Sequence, residues 1–385
     1  GVNQVIGSGI FVLPASVVLL VGAPSSLWPF VLAGVANVLI VLCFAEVSTR
    51  FRHAGGPYLY AREAFGSFVG FEVAWMLWLT RLDSLAALAN AMARYSGYFW
   101  GGAQEEWGRI TIVTVTSVVL AAINVAGVRY GSWTINLFTV SKLVPLAGFV
   151  LLGAWYVDQA AFTGFRPSFD AATGEAVLLL MFAFGGYELI TLPAGEATRP
   201  ERDVPRALLA TIAIVLLVCV AVQAVAVGTL PGLAGSETPI ADAALGFLGP
   251  TAGWLIALGG LISIAGSNAG TMLAGPRVTF AMADRGQIPA WFGHVHARFR
   301  TPDVSIVVYA AIALGLAVSG SFEQMAKVSA LARILFYLAT CAAVPVLRRA
   351  PDAGAGGFRL PGGILIPGLA IAGSIAILAG ADRVS

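Results

Sequence analysis

Charge is what this sequence has least of. Asp, Glu, Lys and Arg make up 11% of its 385 residues, against about a quarter in an ordinary soluble domain. Apolar residues reach 58%, and the mean hydropathy is +0.86. That shortage excludes a soluble globular chain and fits a polytopic membrane protein. A net charge of +2 offers no basic surface for nucleic acid. Cys43, Cys219 and Cys341 all sit inside apolar runs. Their spacing suits neither a metal site nor a disulfide framework, so no metal and no cofactor is expected. His294 and His296, two apart in a basic loop, read as surface residues. No Gly-Lys-Ser/Thr phosphate loop is present, which excludes a P-loop ATPase. No nucleophile–base pair emerges, so no enzyme is expected.

What the chain does have is apolar runs of spanning length. A helix crosses about 30 Å of hydrocarbon with about 20 residues. Eleven stretches qualify: 2–21, 27–48, 66–93, 110–126, 134–156, 174–194, 206–229, 251–281, 304–319, 324–347 and 362–380. The linkers are too short for a separate soluble domain, so residues 1–385 are read as one transmembrane domain. The basic residues orient it. One set of alternate loops holds Arg50, Arg52, Arg62, Arg129, Arg199, Arg202, Arg206, Arg285, Arg298, Arg300, Arg348, Arg349 and Arg359. The opposite set holds little beyond Arg109, Arg166 and Arg383. The N-terminus is therefore expected in the cytoplasm. Span 11 then leaves the C-terminus outside, which leads to the expectation of a twelfth span beyond Ser385 and of a cytoplasmic tail before Gly1.

Two spans carry glycine at mid-membrane. The first reads "GVNQVIGSGIFVLPASVVLL" and the sixth "LLLMFAFGGYELITLP". Glycine costs about 1 kcal/mol against alanine in a helix interior. The glycines either let a neighbouring helix pack closely or mark a break in the helix. Paired breaks five helices apart point to an inverted-repeat transporter. Repeat one would cover about 1–156 and repeat two about 174–347, with an accessory helix at 362–380. Bare backbone groups are tolerated at membrane depth only where they line a cavity. A half-helix N-terminus suits a carboxylate and unwound carbonyls suit an ammonium. Two facing breaks therefore suit an amino acid.

Four collinear stretches resemble the amino acid–polyamine–organocation transporters: "IGSGIFVLP" (6–14), "FAEVSTRFRHAGGPYLYAREAFG" (44–66), "FAFGGYELITLPAGEATRPERDVPRA" (182–207) and "AGPRVTFAMADRGQIPAWFGHVHARFRTP" (274–302). The resemblance implies an all-α, five-plus-five inverted-repeat fold of the LeuT-like kind, with helices 1 and 6 broken. It places a midplane site between helices 1, 3, 6 and 8. Carried over, the amides of Ser8, Gly9 and Ile10 would hold the substrate carboxylate. The carbonyls of Ile6, Phe182, Ala183 and Gly185 would receive the ammonium, and Phe182 would be the outer lid. The expected location is the inner (plasma) membrane of a bacterium.

Span 3 carries Arg81 and Asp83 near its centre. Charge at that depth normally faces a partner or a cavity. Residues two apart do not share a helix face, so each needs its own partner. One reading is a buried ion pair with Glu46, Glu72 or Glu188. The other is contact with the substrate or with a gate. Glu46 and Glu196, with Arg50, Arg199, Arg202 and Arg206 nearby, are expected to form an inner charge network. Ordinary anchoring at the membrane end is the alternative.

Lys142 is the sole charge of span 5. It either anchors helix 5 in a wet cleft or changes charge during transport, since burial disfavours the ionised form of a lysine. The resemblance matches it to the helix-5 lysine of proton-coupled members, with Ser263 the expected hydroxyl contact. The resulting expectation is secondary active transport of an amino acid, coupled to protons and independent of sodium. Exchange of amino acids is the alternative, and a non-transporting amino-acid sensor is the reading from another class. The oligomeric state is not legible in the sequence.

Overall fold

The computed structural model describes residues 5–51, 55–127, 132–192, 199–349 and 358–381, with the backbone alone for 132–139 and 381. The described residues form 13 α-helices and no strand. They are α1 Gly9–Val21, α2 Leu27–Ser48, α3 Gly56–Phe65, α4 Ser67–Ser96, α5 Glu106–Val125, α6 Ser132–Gly153 and α7 Ala171–Phe184. There follow α8 Pro200–Thr229, α9 Pro239–Leu248, α10 Pro250–Asp284, α11 Asp303–Ser319, α12 Phe322–Leu347 and α13 Leu365–Ala381. Every expected span has a helix. Six helical segments are long and apolar enough to cross a membrane by themselves: α2, α5, α8, α10, α12 and 171–191, which is α7 with the short turn after it.

Two helices were not expected. α3 and α9 have 10 residues each. At 1.5 Å per residue such a helix covers roughly 15 Å, half the hydrocarbon thickness. Both start with proline in the first turn, where a missing N–H costs nothing. Both end at a glycine with positive φ, Gly66 and Gly249.

The bundle is apolar on both its inside and its outside. Phe11, Phe44, Tyr95, Leu180, Val222 and Phe336 are buried in one continuous core. Leu19, Val144, Leu151 and Leu217 are exposed on the outer surface. A soluble protein would cover that outer face with charge; a lipid-facing one has no need to. α4 lies at the centre, packed along α12 and α10. α1 packs on α7, and α2 on α7 and α8. Tyr95 of α4 donates its hydroxyl to the Phe11 carbonyl of α1 at 2.8 Å.

α7 begins where Asp170 accepts a hydrogen bond from the Thr173 amide at 2.9 Å. That backbone bond holds the Asp170 carboxyl below its ordinary pKa, ahead of the Thr173 and Ser168 hydroxyls. It supplies one of the partners that the first turn of a helix lacks.

Candidate functional site

α7 stops at mid-chain for a local reason. Gly185 is extended (φ −82°, ψ 160°), and Gly186 is left-handed (φ 117°, ψ −13°). A Cβ is disfavoured at such a φ. The chain then resumes as one 3₁₀ stretch, Tyr187–Thr191. The break frees backbone groups deep in the bundle, and charged side chains take them up. Glu188 Oε2 accepts from the Gly186 amide at 2.9 Å and from the Tyr337 hydroxyl at 2.8 Å. Its other oxygen, Oε1, accepts from Arg81 Nη2 at 2.9 Å. Arg333 Nη1 donates to the Met181 and Phe182 carbonyls at 3.3 and 3.2 Å. All three charged side chains are buried. A methyl placed on Gly185 would lie 1.3 Å from Arg333 Nη1, so a larger residue there must displace that guanidinium.

α1 is interrupted at its start. Residues Ile6, Gly7 and Ser8 are non-helical, and the helix resumes at Gly9. The amides of Phe11 and Val12 both return to the Ser8 carbonyl at 3.0 Å. The amides of Ser8, Gly9 and Ile10 precede these bonds and belong to the open end of the helix. Lys142 Nζ of α6 donates to the Ile6 carbonyl at 2.7 Å, and Lys142 is fully buried.

Both breaks line one small cavity, of about 40 Å³. Its walls include Ser8, Gly9, Arg81, Ala183, Gly185 and Arg333. Ligand pockets typically measure roughly 300–1,000 Å³. The cavity is therefore well below the size of an ordinary ligand pocket. Phe182 forms one of its walls. Its ring meets Phe322 edge-on at 5.8 Å, and Phe322 lines a second, open cavity of about 630 Å³ on the other side. Phe182 thus lines the small cavity and Phe322 the large one, with the two rings in contact. Arg94 holds this contact: its guanidinium lies 5.6 Å from the Phe322 ring centroid and pairs with Glu323 through two bonds, 2.7 and 2.8 Å. Glu323 also accepts from Ser16 of α1 at 3.2 Å.

At the other end, Glu46 of α2 binds Arg348 through two bonds, 2.7 and 2.6 Å. It also accepts from the Leu360 amide at 2.9 Å. Arg50 lies 3.6 Å from the same carboxylate and donates to the Leu347 carbonyl at 2.8 Å.

Several expectations change on these facts. Glu46 has a charge network, but its main partner is Arg348 rather than Arg199, Arg202 or Arg206. Glu196 lies outside the described residues. Arg81 and Asp83 point apart, and of the three carboxylates considered for Arg81 it is Glu188 that pairs with it. Asp83 is buried, does not line the cavity, and leaves Oδ2 without a partner among the described residues. Ser263 Oγ is buried and makes no hydrogen bond among the described residues, so the expected bond to Lys142 is not made here. Ile10 is buried but stands outside the cavity wall. Gly9 serves close packing as well as the break: a methyl there would lie 2.7 Å from Ala183 Cβ. Sequence reasoning missed Arg333, Tyr337 and the Arg94–Phe322–Glu323 group. Arg333 carried the same signal as Arg81, a charge within an apolar span.

A family model described as amino acid permease matches residues 1–380. The serine/threonine exchanger SteT of Bacillus subtilis (strain 168) is 31% identical over 98% of this chain and 87% of its own length. The methylthioribose transporter of the same organism is 25% identical, covering 94% of this chain and 82% of its own. The branched-chain amino acid permease BcaP, also from that organism, is 24% identical over 96% and 83%.

Proposed function

The chain belongs to the amino acid permease family, and from that premise we propose that it moves amino acids by alternating access through the cavity between the breaks of α1 and α7. It is an integral membrane transporter and not an enzyme. The observation that carries the mechanism is the convergence of two helix breaks on one cavity, with an aromatic contact on one side. Residues 1–156 and 174–347 act as the two inverted repeats, and the N-terminus faces the cytoplasm of a bacterial cell.

In this reading the open α1 terminus, at Ser8 and Gly9, holds the substrate carboxylate. The carbonyls at the end of α7, Phe182 and Ala183 with Gly185, receive the ammonium. Separation of Phe182 from Phe322 opens the outer path. Separation of Glu46 from Arg348 loosens the inner end of α2. The Ile6 carbonyl is held by Lys142, so it is shared with the coupling device rather than given to the substrate alone.

Coupling runs through that lysine. A protonated Lys142 ties α6 to the break of α1, and loss of the proton releases the tie. This supports sodium-independent proton symport. The likeness to SteT, an exchanger by name, favours a second reading, obligatory exchange. Uptake into proteoliposomes separates them. Symport gives accumulation under an inward proton gradient with empty vesicles, and exchange needs unlabelled amino acid inside.

A further inference from the structure

The charges around the cavity do not balance. Arg81 and Arg333 both line it. Glu188 is the carboxylate beside them, and both of its oxygens are taken, by Arg81 on one side and by Tyr337 and the Gly186 amide on the other. Arg333 is 3% exposed and makes no ion pair among the described residues. It holds two neutral carbonyls at 3.3 and 3.2 Å, the long end of the hydrogen-bond range, and its Nε has no partner among the described residues. Asp83 does not line the cavity and makes no ion pair among the described residues. Arg333 feels the charge of Glu188 but makes no contact with it among the described residues, so two buried guanidiniums share one carboxylate; a planar fork left in that state is shaped to take a second carboxylate through two parallel bonds.

The position of Arg333 gives that fork a use. The Phe182 carbonyl it holds is one that receives the ammonium in the transport reading above, on which this inference rests. An arriving ammonium competes for that oxygen and leaves the guanidinium with the Met181 carbonyl as its one remaining partner among the described residues. A substrate with a second carboxylate supplies the new partner. Its ammonium takes the α7 carbonyls, its α-carboxylate takes the α1 terminus, and its side-chain carboxylate takes Arg333. Ser84, Ser267 and Thr271 line the same cavity; Ser267 donates to the Ser263 carbonyl and Ser84 pairs with the Ser329 hydroxyl, so what these two turn toward a ligand is an acceptor oxygen. We infer that the site selects amino acids with an acidic side chain, and that Arg333 is the residue that reads that side chain. A hydroxylic substrate would suit Ser84, Ser267 and Thr271 but leave Arg333 unpaired.

The test is competition for uptake by the purified full chain in proteoliposomes, with radiolabelled L-glutamate and radiolabelled L-serine as the two probes. Unlabelled L-aspartate should inhibit at a concentration at least tenfold below that of L-serine or L-alanine. In Arg333→Gln the aspartate-to-serine preference should fall at least tenfold, and Arg333→Lys, which keeps the charge, should restore part of it. Serine uptake without glutamate uptake in the wild type would overturn this inference and leave the transport reading standing. An unchanged aspartate-to-serine ratio in Arg333→Gln would overturn the role of Arg333. Uptake of no amino acid by correctly folded protein would overturn both.

Discussion

Lys142 reaches from α6 to the non-helical start of α1 and donates its ammonium to the Ile6 carbonyl at 2.7 Å. A backbone carbonyl released by a helix break is thus satisfied by a side chain from another helix. Lys142→Ala removes that donor and leaves the oxygen buried, at a cost of about 1–3 kcal/mol. Uptake by the wild type should rise when the outer medium is acidified and should not respond to sodium. In Lys142→Ala the pH profile should be flat while some substrate binding survives. Initial rates across pH in potassium-based buffers check this. Sodium stimulation of the wild type, or an unaltered profile in the mutant, would refute the assignment.

The Arg81–Glu188 pair holds α4 against the unwound part of α7. Removing one partner strands a buried charge, which costs about 3–5 kcal/mol, whereas replacing both partners is far milder. Glu188→Gln should therefore lower the thermal midpoint in detergent sharply, and Arg81→Met combined with Glu188→Gln should recover part of the loss, since Arg333 still loses the Glu188 charge. A single variant as stable as the wild type would mean that the pair carries no structural weight.

Gly185 makes room for Arg333. Gly185→Ala should displace the guanidinium and reduce uptake at least tenfold. Gly185→Ala combined with Arg333→Ala should be better folded than Gly185→Ala alone, as judged by thermal stability. Equal damage in the single and double variants would place the strain elsewhere.

Phe182→Ala removes the ring that lines the small cavity and meets Phe322. Membrane insertion should be unaffected, and the apparent KM should rise at least tenfold as water reaches the site. Phe322→Ala should produce the same phenotype, because the two rings act as one contact. Unchanged kinetics in both would make these rings ordinary core residues.

The parts of this molecule that depend on local pattern were readable in the sequence. Hydropathy located a helix for each expected span, and the glycines at 7, 9, 185 and 186 marked both interruptions. Glycine alone could not separate close packing from unwinding, and Gly9 turns out to serve both. The partners of charged residues were not readable, because they are set by tertiary packing. Glu46 finds Arg348 across 302 positions of chain, and Arg81 finds Glu188 across 107. Helices α3 and α9 escaped notice because they are too short to register as spans. Arg333 was visible as a charge in an apolar run. Its meaning was not, since only the fold brings it over Gly185.

The most direct test of the central claim is uptake of radiolabelled amino acids by the purified chain in proteoliposomes, under an inward proton gradient and without sodium. The account predicts saturable uptake of at least one amino acid, abolished by Ser8→Pro, which removes an amide donor at the open end of α1. Absence of saturable uptake for all twenty, with amino acid inside the vesicles or without it, would contradict it.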